Sequence, residues 1–252
     1  MSSLARRALT VGVPRCRLVA ATTCRASPLC TKPTSEADTI YEKGLERLDE
    51  GRLSQAIDHF AEAASLGSPG GNFHLGLAYD GLLGRDAADE LPVDVDAAAA
   101  ARCYERAAKE GHEMAMLNLS LCYKTGDGVE PDISTAWKWL SLAAAAGNER
   151  ALFNAAVALD PLHPPYGTPG SDMISKDMEA ALHFYRKAVD LGHEKAKVNL
   201  GVALYTGTGC EKDPETAEAL WKEAHEAGVS QAGFCLRNMD KQGKMEPMFR
   251  EE

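Results

Sequence analysis

The sequence predicts an all-α fold, a right-handed α-solenoid of about five helix-turn-helix repeats. Three observations carry this. Thr125–Ala151 and Thr206–Ala232 are near-copies of each other, 81 residues apart. A frame of Ala, a second Ala seven residues on and a Gly four further occurs five times. The chain is also rich in Ala, a strong helix former, and poor in aromatics at 6%.

The frame reads Ala56-Ala63-Gly67, Ala100-Ala107-Gly111, Ala136-Ala143-Gly147, Ala181-Ala188-Gly192 and Ala217-Ala224-Gly228. Ala to Ala at i, i+7 is two helical turns, so both face one way and admit a close neighbour. A bulky residue follows each first Ala by three or four positions: Phe60, Tyr104, Trp139, Phe184 with Tyr185, and Trp221. The Gly is expected as the residue with positive φ that ends the helix.

A second helix follows each Gly. Ala115–Tyr123 and Ala196–Leu204 are apolar on more than one face, as suits a helix sandwiched between neighbours. A Thr-Gly-x-Gly turn comes next at Thr125 and Thr206, and Asp96, Asp132, Asp177 and Asp213 are placed to cap the following helices. The Gly spacings of 44, 36, 45 and 36 define a 36-residue unit with insertions of 8 and 9. Such hairpins bury a continuous core only against one another.

Leu119–Gly128 and Leu200–Gly209, followed by Asp, Ala-x-x-Trp and a closing Ala-x-x-x-Gly, resemble the Sel-1-like repeat. The resemblance covers roughly residues 36–236. The unit with Leu75–Tyr79 loses the Gly-x-Gly turn, the unit with Ala155–Leu159 runs into Pro161, and Tyr41–Gly67 looks more like a tetratricopeptide hairpin. The expected organisation is a leader over 1–35, a tetratricopeptide-like capping hairpin over 36–71 and Sel-1-like repeats over 72–240. Inserts are expected at 82–95 and 160–175, with a flexible tail over 241–252.

Residues 1–35 hold six basic residues and no acid, leaving residues 36–252 with a formal charge of −16. The leader has the composition of an organellar transit peptide, so a mitochondrial protein is expected, in the matrix, with plastid or cytosol as alternatives. The acidic body argues against nucleic-acid binding. No stretch reaches the length of a membrane span. Cys103, Cys122, Cys210 and Cys235, which follow the leader, form no C-x-x-C pair, so neither zinc nor redox chemistry is signalled.

No nucleotide-binding, zinc-protease or serine-hydrolase motif is present, so no enzyme, cofactor or metal is expected. Gly126-x-Gly128 and Gly207-x-Gly209 lack the Lys of a phosphate loop, and His112 and His193 each follow a repeat Gly, which suits a shared turn role. The candidate partner-binding residues are Asn118, Asn154 and Asn199, Trp137 and Tyr166. The three Asn recur at one repeat position; they either set helix packing or hold a partner's backbone. Trp137 is expected to point outward, as an anchor or as cover for a loop. Tyr166 lies between prolines of the second insert.

The resemblance implies a scaffold or adaptor with protein partners. A constitutive subunit of a mitochondrial assembly is the alternative. A hydrolase, as some bacterial Sel-1-like proteins are linked to β-lactams, is remote because no Ser-x-x-Lys is present.

Overall fold

The computed structural model of the protein describes residues 35–83, 93–162 and 174–239. The described residues form eleven α-helices and no strand. They are α1 (Glu36–Asp49), α2 (Leu53–Ser65), α3 (Pro69–Tyr79), α4 (Ala97–Lys109), α5 (Glu113–Thr125), α6 (Ile133–Ala145), α7 (Glu149–Leu159), α8 (Met178–Asp190), α9 (Glu194–Thr206), α10 (Pro214–Glu226) and α11 (Ser230–Asn238). Each packs chiefly on its neighbours in sequence, as a stack of hairpins must.

The five Ala–Ala–Gly frames lie on α2, α4, α6, α8 and α10, here the A helices, and all ten alanines are buried. The following Gly takes the left-handed conformation, with φ of 88° at Gly111 and 87° at Gly192. The next N–H reaches back to the second alanine's carbonyl, as from His112 to Ala107 and His193 to Ala188, both 3.0 Å or less. That bond reverses the chain into the second, or B, helix. Asp96, Asp132, Asp177 and Asp213 cap α4, α6, α8 and α10 through their side chains, as expected.

One register needed correction. The fully buried bulky residue stands four positions after the first Ala, as Phe60, Tyr104, Tyr185 and Trp221. In α6 that position is Leu140, not Trp139. Steps of 4 and 7 keep one stripe on a helix, whereas steps of 1 and 3 flank it on opposite sides. Trp139 therefore leans half-buried on the first core cluster, and Trp137 on the second, beside Leu140.

Phe60, Tyr104 and Trp221 are received by Gly44, Gly76 and Gly201 on the preceding B helix. Ser120 and Ala156 hold the same repeat position in α5 and α7. A Cβ added at Gly44 or Gly76 would lie 2.6 Å from the Phe60 or Tyr104 ring. In this register α1 acts as a B helix that precedes the first full unit.

The four connections that lead from α3, α5, α7 and α9 to the next A helix share one closing bond. The capping Asp donates its backbone N–H to Tyr79 (from Asp96), Tyr123 (from Asp132), Leu159 (from Asp177) and Leu204 (from Asp213), at 2.8 to 3.0 Å. The first and third connections are longer than the other two by 8 and 9 residues. Added length is thus looped out from a neck that is unchanged.

Candidate functional site

The structure brings together a polar network that recurs with a period of two units. Asp80 and Asp160 follow the last turns of α3 and α7, at the start of the two long connections. Tyr104 in α4 donates its hydroxyl to Asp80 Oδ2 at 2.5 Å, and Tyr185 in α8 donates to Asp160 Oδ2 at 3.0 Å. Asn199 Nδ2 in α9 then donates to the Tyr185 oxygen at 3.1 Å. Asn118 in α5 stands in the same register beside the Tyr104 phenol, yet its amide closes no full hydrogen bond. Burial, with the Asp80 charge next, holds the Tyr104 phenol far above its ordinary range, so it remains a donor.

The arrangement pins the mouth of each long connection to the next hairpin. Asp160 also accepts from the Leu162 backbone N–H at 2.7 Å, and Lys176 Nζ donates to the Ala158 and Asp160 carbonyls at 3.0 and 3.1 Å. The third connection is therefore anchored as it leaves and as it returns.

The proposed Asn triplet separates into three environments. Asn118 is fully buried, so a partner cannot reach it. Asn199 is half-buried and engaged by Tyr185. Asn154 is half-buried, and the α6 position that matches Tyr104 and Tyr185 is Leu140, which offers no hydroxyl. His74 holds the same position in α3, buried, with Nδ1 at 3.1 Å from the Gly70 carbonyl. Sequence reading missed this substitution, although the step of three from Gly71 was visible.

Trp137 is half-buried. With Ile133, Ser134, Leu159, Ile174 and Ser175 it lines a cavity of about 340 Å³ at the mouth of the third connection. Tyr166, most of both inserts, residues 1–34 and the tail lie outside the described residues. Ser35, the last residue assigned to the leader, caps α1 by accepting from Asp38 N.

His112 and His193 cap α5 and α9 by accepting at Nδ1 from Ala115 and Ala196, which is the turn role expected of them. Their rings stack on Phe73 and Phe153 at 4.5 and 4.4 Å. Burial pulls His112 down to about 4 and lowers His193. Among the described residues no cluster of three or more His, Cys, Asp or Glu could hold a metal. Cys103, Cys122 and Cys210 are free thiols, and burial pushes Cys122 up to about 12. Among the described residues no helix is long and apolar enough to cross a membrane.

Comparison with known proteins agrees with the repeat geometry. A family model described as Sel1 repeat matches residues 39–68, 72–112, 113–148, 166–193 and 195–229. A Sel1 repeat protein from Oxalobacter formigenes is 26% identical with a TM-score of 0.65, over 78% of this chain and 74% of that one. A protective antigen of uropathogenic Escherichia coli strains, displaying an SLR fold, is 25% identical with a TM-score of 0.64, over 79% of this chain. The chain spans 40% of that antigen's length. No curated protein matches.

Proposed function

The chain belongs to the Sel1 repeat family, whose members generally mediate protein–protein interaction, and from that premise we propose that it is a mitochondrial scaffold without catalytic activity. It supports the assembly, stability or regulation of a multiprotein complex in the matrix. The carrying observation is the pair of long connections held on unchanged necks, Asp96 to Tyr79 and Asp177 to Leu159. Length is added two units apart without altering the stack. Repeat scaffolds acquire partner-specific surface in this way, on one face. The proposed surface is that edge, with Tyr166 from the insert, Trp137 at its base and Asn154 on the adjoining helix.

The leader supports the compartment: six basic residues and no acid precede an acidic body. The test is a C-terminally tagged pull-down from isolated mitochondria, with the bait's N-terminal peptide read by mass spectrometry. A bait beginning within residues 26–36 and a stable set of co-purified matrix proteins are expected. An intact Met1 without organellar enrichment overturns the compartment. A correctly processed bait with no partner overturns the scaffold.

A further inference from the structure

The A helices turn one stripe to solvent at two and six positions after the first frame alanine. A step of four keeps the two positions on one face. On α4 they are Arg102 and Arg106, on α6 Lys138 and Leu142, on α8 His183 and Lys187, and all six are exposed. Equivalent positions of stacked units form rows along the stack. The three central units therefore present four fixed positive charges and no acid at these positions, on a body whose formal charge is −16. The rows end in Asp58 and Glu62 on α2 and in Ala219 and Glu223 on α10.

This strip is not a by-product of helix stabilisation. Lys109 pairs with Glu105 and Lys222 with Glu218 at i, i+4, at 2.8 and 2.7 Å. Arg102 and Arg106 have the same spacing with like charges, which costs helix stability instead. Among the described residues Arg106, Lys138 and Lys187 make no ion pair, and Arg102 reaches only Asp96, at 4.0 Å. At the centre of the strip Leu142 is 43% exposed, apolar where α4 and α8 carry Arg106 and Lys187.

We propose that the strip is a second partner surface, distinct from the edge that carries the inserts. It takes a short acidic segment of a protein partner, with an apolar residue over Leu142 and carboxylates on either side. This rests on the reading of the chain as a scaffold and adds the chemistry of one partner. Charge complementarity selects the occupant. The four charges are spread over three helices, which suits carboxylates at intervals along a chain rather than one small anion. Helices that pack at 8–10 Å through an intervening B helix put neighbouring A helices no more than about 20 Å apart. An extended segment of about a dozen residues therefore crosses all three. A longer polyanion such as a nucleic acid would run onto Asp58, Glu62, Glu223 and the acidic body. The same acids repel the ends of an acidic segment and so fix its register.

The test is photo-crosslinking of the purified whole chain with a peptide of about twelve Glu and Asp residues that carries one benzoylphenylalanine at its centre. The adducts are located by mass spectrometry. Adducts on α6 around Leu142 are expected, about tenfold fewer when Arg106→Glu and Lys187→Glu are combined. Both residues are exposed, so helix content and Tm should be unchanged in that variant. A matching peptide of Lys should gain adducts on α6 in the variant and not in the unmodified chain. Absence of adducts on α6, or adducts there that charge reversal leaves unchanged, overturns the proposal. So does single-stranded DNA of equal charge that displaces the peptide from α6 at matched concentration, which would assign the strip to nucleic acid. The peptide assay uses no mitochondria: a failure here removes the strip alone, whereas an empty pull-down removes the scaffold.

Discussion

Tyr185→Phe isolates the polar network that anchors the third connection. The substitution removes one oxygen and keeps the ring, so packing against Phe153 and the second core cluster is retained. Asp160, 2% exposed, loses the hydroxyl at 3.0 Å, and Asn199 Nδ2 loses its acceptor at 3.1 Å. A hydrogen bond to a charged group contributes about 1.5–3 kcal/mol and a neutral one about 0.5–1.5. Asp160 keeps the Leu162 N–H, and half-buried Asn199 regains water. The expected net cost is therefore about 2–3 kcal/mol, below the sum. For a stack of this size that lowers Tm by roughly 4–12 °C. The assay is thermal and urea unfolding followed by circular dichroism, with hydrogen exchange to locate the loss in α8 and α9. Asp160→Asn in the Tyr185→Phe background should cost less than it does alone, because the two act on one bond. A cost below about 0.5 kcal/mol, or full additivity with Asp160→Asn, would refute the network as an anchor.

Other outcomes follow from the same geometry. Burial pulls His74 down to about 4 from 6.5, so the unfolded chain binds the proton first as pH falls. The stability conferred by neutral His74 is complete above pH 6.5 and is lost between 6.5 and about 4. His74→Asn, which installs the residue of the equivalent position in α5, α7 and α9, should make that part of the stability–pH curve less steep, with His112 supplying the slope that remains; an unchanged curve in urea titrations counts against the assignment. Gly201→Ala places a methyl against the Trp221 indole and should cost about 1–3 kcal/mol in urea unfolding, whereas a neutral outcome would show that the two helices can part freely. Replacing residues 81–95 by 125–131, and 161–176 by 206–212, restores the short connection at both sites. Helix content and Tm should change little, while capture of partners in a pull-down should fall sharply; retained capture would move the binding surface elsewhere.

Much of the fold was legible because the repeat writes its physics into fixed spacings. Ala at i, i+7, a Gly four on and an Asp before each A helix report burial, reversal and capping, and each does so in the structure. The candidate site was less legible. The three Asn look equivalent in sequence, but what each meets is decided on another helix: Tyr104 stands beside Asn118 and Tyr185 beside Asn199, while the matching position before Asn154 is Leu140. In α6 the conspicuous aromatic is Trp139 at +3, whereas the stripe runs through Leu140 at +4. The Asp80–Tyr104 and Asp160–Tyr185 bonds join residues 24 and 25 apart across an insert, a separation that no helical period reveals. Their signal was the recurrence itself: Asp, Tyr, Phe and His all repeat every second unit, together with the inserts.

The proposed mitochondrial scaffold serves a complex rather than a reaction. Mitochondria from cells lacking the chain, resolved on native gels and read by mass spectrometry, decide between the two. One assembly is expected to be depleted while its subunits accumulate in smaller forms, and re-expressing the chain should restore it. Unchanged assemblies across the gel, in cells from which the chain is gone, would overturn the scaffold role.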